Sequence, residues 1–214
     1  MAIFSRPQHE VFINYRGDEL RYGFVSHLVE ALERNRVNFF IDKDEQRGKD
    51  LKDLFLRIDQ SLIALVIFSR RYAESEWCLD ELSRINKRVE MGKLRVIPIF
   101  YKVDADDVRE QKGKFGDKFW ELAKASRGHQ IMEWKDALES VSDKMGLSLS
   151  DKSSESDFIK KIVEEVGRVL SDIPCDEGIR CHSFDFPEKK RRSSPIAPLY
   201  PQSFHSKRAK AKTL

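Results

Sequence analysis

"LIALVIF" spans residues 62–68 and runs straight into "SRRYAESEWCLDEL" (69–82). An unbroken apolar run rich in Ile and Val, far too short to cross a membrane, reads as a strand covered on both faces. The chain then turns polar, and after Trp77 the period changes. Cys78, Leu82, Ile85 and Val89 recur at helical spacing up to Gly92, which can end a helix. A doubly covered strand passing into an amphipathic helix is the repeating unit of an α/β fold, so this stretch decides the fold class.

Three further runs have the same character: "VFINY" (11–15), "VNFFI" (37–41) and "LRVIPIF" (94–100). Helical patterns separate them. In "ELRYGFVSHLVEALERN" (19–35), Leu20, Phe24, Leu28, Ala31 and Leu32 share a face, and "LKDLFLRIDQS" (51–61) is a second helix. After the fourth run come helices at 113–126 and 130–146, then a short edge strand "GLSLS" (146–150). A closing helix at 154–170 follows, which Ser154 or Ser156 can cap. Strand and helix in alternation imply right-handed crossovers. The expected fold is a flavodoxin-like, five-stranded parallel sheet of order 2-1-3-4-5 flanked by helices.

Composition bounds the rest. The chain has 214 residues, of which 40% are apolar with 14 Phe, enough for a sizeable core. Charged residues make up 35% but nearly balance, at +3, which gives no whole-domain argument for binding nucleic acid. The balance is uneven. From Asp176 to Leu214 nine Lys/Arg stand against four Asp/Glu, and four of the seven prolines lie there. We therefore expect an extension at 1–8, a domain at 9–171, and a basic, proline-rich, disordered tail at 172–214. Within it, "PEKKRRSSP" (187–195) reads either as a solvated run or as a nuclear import signal. Cys78, Cys175 and Cys181 are odd in number and show no metal-knuckle spacing. No signal-peptide core or membrane-length apolar run is present. The expectation is a reduced, cytoplasmic protein without a metal, with the nucleus as a further address.

The chain has no P-loop motif, no G-x-G-x-x-G after its first strand and no H-E-x-x-H. Ligands of open α/β sheets bind at the carboxyl ends of the strands, near the switch in strand order. That rule selects "YRGDE" (15–19), "DKDEQRGKDL" (42–51), "SRRYAESEW" (69–77) and "YKVDADDVR" (101–109), and places Arg16, Asp18, Ser69, Ser75, Trp77 and Glu81 around one cleft. A phospho-receiver of the same topology needs an Asp where this chain has Ser69. Trp77 and Glu81 are four apart and stack on one helix face. A carboxylate beside an indole suits a ribosyl cation, because glycosidic cleavage needs a carboxylate to steady an oxocarbenium-like transition state. By default, though, a helical Glu is solvated and a Trp is a half-buried anchor. Glu76 and Asp80 read as solvated, and Cys78 and Leu82 as core-facing.

Four segments together resemble a plant Toll/interleukin-1 receptor (TIR) domain: "HEVFINYRGDELRYGFVSHLVEAL", "FFIDKDEQRGKDL", "SLIALVIFSRRYAESEWCLDEL" and "VIPIFYKVDADDVREQKGKFGDKF". They occur in family order over about residues 9–171, and the S-x-W-C-L-x-E-L match is the most specific. The resemblance implies a TIR-only or truncated relative of TIR-type nucleotide-binding leucine-rich-repeat immune receptors. It implies hydrolysis of NAD+, and of NADP+ in many members, to nicotinamide and ADP-ribose or cyclised variants that signal in innate immunity. The catalytic glutamate then falls on Glu81, and Arg16, Gly17, Arg47, Gly48, Ser75 and Trp77 fall on substrate-binding positions. Ser26 and His27 match a self-association pair, and Gly113 and Gly116 a second interface. The implied partners are other TIR domains, in itself or in immune receptors. The alternative reading is a non-catalytic TIR adaptor that uses the same surfaces. There are departures: in "FINYRGDE" the acid pair is swapped and Asn14 replaces a small hydroxyl residue, the loop after strand two is compact, and Leu62 stands where a basic residue is common.

Overall fold

The run at 62–68 forms the middle of a sheet. The computed structural model describes residues 9–41 and 51–173. Its strands are β1 (His9–Tyr15), β2 (Phe39–Ile41), β3 (Ser61–Phe68), β4 (Arg95–Tyr101) and β5 (Leu147–Leu149). All pairs are parallel and the order is β2-β1-β3-β4-β5, the expected topology. The helices are α1 (Gly17–Leu20), α2 (Phe24–Arg34), α3 (Leu51–Asp59), α4 (Glu76–Glu90), α5 (Ala105–Arg109), α6 (Gly113–Ala123), α7 (Gly128–Ser142) and α8 (Glu155–Ser171).

The pleat of β3 explains why residues 62–68 are all apolar. Ile63, Leu65 and Ile67 enter one core with Phe24 and Leu28 of α2 and Phe158, Ile162 and Val166 of α8. Ala64, Val66 and Phe68 enter the other, with Ile58 of α3, Leu79 and Leu82 of α4, and Trp134 and Leu138 of α7. Successive side chains of a strand point to opposite faces, so a strand with helices on both sides needs apolar residues throughout. Fully burying each Leu, Ile or Phe stabilises by roughly 1.5–3 kcal/mol.

Several boundaries differ from expectation. The helix expected over 19–35 is broken into α1 and α2 by a turn at Arg21–Gly23, where Gly23, the weakest helix former short of Pro, stands before α2. α3 stops at Asp59 because Ser61 already belongs to β3, and its hydroxyl donates to the Arg57 carbonyl at 2.8 Å. β2 begins only at Phe39, since the Val37 amide is held by the Leu32 carbonyl of α2. A 3₁₀ turn at Tyr72–Glu74 and the short α5 were not anticipated. Gly92 does end α4, at φ +67°. The extension 1–8, the tail from 174 onward with Cys175, Cys181 and the basic run, and residues 42–50 lie outside the described residues. Among the described residues no helix is long and apolar enough to cross a membrane.

Two carboxylates fasten outer elements to this frame. Glu155, in the first turn of α8, accepts from the Tyr101 hydroxyl at 2.7 Å and from Lys102 Nζ at 3.0 Å. Glu74 accepts from Arg71 Nε at 2.9 Å and faces Lys118 of α6 at 3.3 Å. The Tyr101 hydrogen bond, aided by Lys102, holds Glu155 below the ordinary carboxyl value, and the Arg71 hydrogen bond does the same for Glu74. Both groups bind protons less readily folded than unfolded, so their stabilisation is complete above the ordinary value of 4.5 and is lost as pH falls through the lower folded range. The urea midpoint is expected to fall between pH 5 and pH 3. Tyr101→Phe should flatten that slope, and an unchanged slope would remove Glu155 from its cause.

Candidate functional site

Glu81 lies on α4, one turn after Trp77, above the carboxyl ends of β1 and β3. The start of α4 is set locally: Ser75 is its N-cap, and the Ser75 hydroxyl accepts from the Cys78 amide at 3.2 Å. Cys78 and Leu82 turn into the core, as expected, and this carries the opposite edge of the helix across the strand ends. Glu81 is 5% exposed, an unusual burial for a glutamate. It lines a small cavity with Tyr15, Gly17, Arg21, Trp77 and Cys78. That cavity holds about 10 Å³, room for roughly one water.

The polar contacts of the site are specific. Asn14, at the end of β1, donates through Nδ2 to Glu81 Oε2 at 2.6 Å. The Tyr72 hydroxyl donates to Asn14 Oδ1 at 2.5 Å and lies 3.1 Å from the Cys78 carbonyl. Burial first, then the charges of Cys78 and Glu81, push the Tyr72 phenol well above its ordinary range, so it stays protonated. The Trp77 Nε1 and Arg16 Nε atoms are buried without a hydrogen-bond partner among the described residues. Unpaired buried donors are costly, and one of the two residues, Trp77, lines the cavity.

The structure divides the expected site residues. Gly17, Trp77 and Glu81 share the cavity. Arg16 reaches Asp18 at 3.4 Å on the adjoining turn. Ser75 is 7% exposed and occupied as a cap. Ser69 is fully buried and donates to Glu19 Oε2 at 2.5 Å, which takes it out of the cleft. Arg47 and Gly48 lie outside the described residues. Sequence reasoning passed over Arg21 and Tyr72 and noted Asn14 only as a departure. The available signal was an Asn inside an otherwise apolar strand. A further expectation is corrected: Asp80 is not simply solvated. It accepts from Trp134 Nε1 at 2.8 Å and from Gln130 Nε2 at 3.2 Å, because α7 packs against that side of α4. A larger depression of about 630 Å³ lies there, lined by residues such as Arg84, Lys87 and His129. Lys87 pairs with Glu133 across it, and Gln130 with Glu76.

The residues expected to mediate self-association lie on separate surfaces. His27 is exposed on α2, and Ser26, half-buried beside it, donates to the Gly23 carbonyl at 2.7 Å. Gly113 is exposed, with φ +56° at the start of α6. Gly116 is buried against the backbone of Gln111.

Comparison with known proteins gives a consistent picture. A family model described as TIR domain matches residues 8–197. Disease resistance protein RBA1 of Arabidopsis thaliana is 59% identical over 165 residues, covering 77% of this chain and 46% of RBA1. Disease resistance protein RPS4B of the same plant is 48% identical over 179 residues, covering 84% of this chain and 15% of RPS4B. The chain thus spans about half or less of the length of these relatives. Among solved structures, the TIR domains of the activated Roq1 resistosome directly recognizing the pathogen effector XopQ match with a TM-score of 0.68 at 34% identity. The match covers 74% of this chain and 99% of that one.

Proposed function

The chain belongs to the TIR domain family, and from that premise we propose that it is an NAD+ glycohydrolase acting in plant immune signalling, with Glu81 as its catalytic carboxylate. The observation that carries this reading is the buried Glu81 carboxylate, held against Trp77 at the switch point of a parallel sheet.

The chemistry asks for little more than one well-placed anion. The nicotinamide of NAD+ is a cationic pyridinium. When its bond to ribose breaks, the electron pair leaves with the ring, and nicotinamide departs neutral without taking a proton. The cleavage therefore needs no general acid, unlike cleavage between sugars, where two carboxyl groups share the work. Positive charge develops on the ribose, and Glu81 stabilises it with its own negative charge. Water then adds to give ADP-ribose and a proton, or a nucleophile within the same molecule adds to give a cyclised product. NADP+ fits the same scheme.

A cavity of about 10 Å³ cannot admit a ribose, so turnover on this reading includes an opening step at the cavity's rim. The small size of the cavity favours a second reading, a non-catalytic TIR adaptor. Purified protein at increasing concentration is incubated with NAD+ and nicotinamide release is followed. Release that rises faster than concentration supports an enzyme opened by assembly, whereas no release from folded protein at any concentration leaves the adaptor. Self-association is proposed to run through the α2 face. Ser26→Ala with His27→Ala is expected to lower the weight-average mass in light scattering, and an unchanged mass would count against that face.

A further inference from the structure

Asn14 is a polar residue inside a strand whose neighbours are apolar, paired in register with Val66 of β3. Asn14 and Tyr72 are both 0% exposed. Burying an amide and a phenol there costs stability unless every polar atom is paired, so an apolar pair would serve the core better. What the two polar residues do have is a connected, directional path to Glu81.

The direction follows from the distances. Tyr72 has one hydroxyl proton, and Asn14 Oδ1 at 2.5 Å is a nearer acceptor than the Cys78 carbonyl at 3.1 Å. The amide thus presents oxygen to Tyr72 and nitrogen to Glu81. Turned over, it would set Oδ1 against the Glu81 carboxylate, two acceptors about 2.6 Å apart. A reversed amide suits only a protonated Glu81, so the amide's orientation and the charge on Glu81 are linked. The Asn14 Nδ2 group also lies 3.5 Å from the Cys78 carbonyl, which adds to the preference.

We propose that Asn14 is a positioning residue that holds Glu81 as an ionised carboxylate in one orientation at the cavity, with Tyr72 fixing the sense of the Asn14 amide. Its consequence for turnover rests on the glycohydrolase reading; its consequence for Glu81 itself does not. Burial alone pushes a carboxyl toward its neutral form, and a short hydrogen bond to one oxygen opposes that. Because the amide is neutral, it stabilises the carboxylate without cancelling its negative charge. Among the described residues, the other titratable groups around Glu81 include Arg21 from the turn after α1, Tyr15 from β1, Cys78 from α4 and Tyr72 from the 3₁₀ turn.

The test titrates the Glu81 side-chain carboxyl by carbon-13 NMR, its signal assigned by its loss in Glu81→Gln. Asn14→Leu is expected to raise the titration midpoint by about one pH unit or more. Tyr72→Phe keeps the amide but frees its sense, and should raise the midpoint by roughly half as much. Combining them should add nothing beyond Asn14→Leu, since both act through one hydrogen bond. In NAD+ cleavage, Asn14→Leu should lower kcat about 10- to 100-fold with KM within about threefold, and move the acid limb of the pH profile upward in step with the NMR midpoint. A folded Asn14→Leu protein whose midpoint does not move overturns the proposal, as does a change confined to thermal stability. Should Asn14→Leu fail to fold, an unmoved midpoint in Tyr72→Phe overturns it equally. A raised midpoint in a protein whose wild type releases no nicotinamide supports the positioning of Glu81 and removes the glycohydrolase reading.

Discussion

Glu81→Gln is expected to slow nicotinamide release from NAD+ by about a thousandfold while leaving the fold intact. The substitution keeps shape and volume, and the glutamine oxygen can still accept from Asn14 Nδ2. What it removes is the negative charge that the ribosyl cation would meet. The loss should appear in kcat rather than KM, because the charge matters only as the glycosidic bond breaks. Glu81→Ala should lose as much activity and also stability, by about 1–3 kcal/mol, since it leaves the buried Asn14 amide without its acceptor. Two variants with equal rates and different melting temperatures would separate catalysis from folding. Wild-type rates in Glu81→Gln would sink the assignment of Glu81.

Gly116→Ala is expected to destabilise the domain by roughly 3 kcal/mol, lowering Tm by about 6–12 °C. A Cβ at Gly116 would lie 2.0 Å from the Gln111 carbonyl oxygen and 2.3 Å from its carbon. That obstacle is backbone, and it is pinned. Gln111 sits at φ +48°, its side-chain amide donates to the Val108 and Arg109 carbonyls, and its own carbonyl accepts from Trp120 Nε1 at 3.3 Å. The neighbouring Gly113 is different. A Cβ there meets the carboxyl end of Asp107 at 2.7 Å, which a flexible side chain can vacate. Its cost is mainly the left-handed backbone, about 1–2 kcal/mol. The comparison decides how the second interface is to be probed. Weakened assembly in Gly116→Ala would report a damaged fold, whereas Gly113, exposed at the start of α6, can be substituted with the domain still folded. Scanning calorimetry of the two variants checks this, and equal melting temperatures would remove the close-approach argument.

The order of elements could be read from local patterns because its causes are local. Seven apolar residues at 62–68 required cover on both faces, and the fold supplies it with α2 and α8 on one side and α3, α4 and α7 on the other. The i, i+4 spacing of Trp77 and Glu81 likewise placed both on one cavity, since helix geometry alone sets that proximity. Where local signals competed, reading by period failed. An apolar stripe from Leu20 to Leu32 continued through Gly23, but the backbone did not. Ser75 looked like a cleft residue, yet the orphan amides of the α4 N-terminus claimed its hydroxyl.

By itself, then, the sequence determined the parallel sheet, the helices that cover it and the helix face that bears Glu81. These depend on residues within a turn or a strand of each other. Only the tertiary structure decided that Glu81 is buried, that its cavity is small, and that Asn14 and Tyr72 bear on it. The Asn14 hydrogen bonds bridge 67 positions to Glu81 and 58 to Tyr72. They exist because parallel crossovers bring the ends of β1 and β3 side by side and lay α4 across them, a juxtaposition that no periodicity within the chain records.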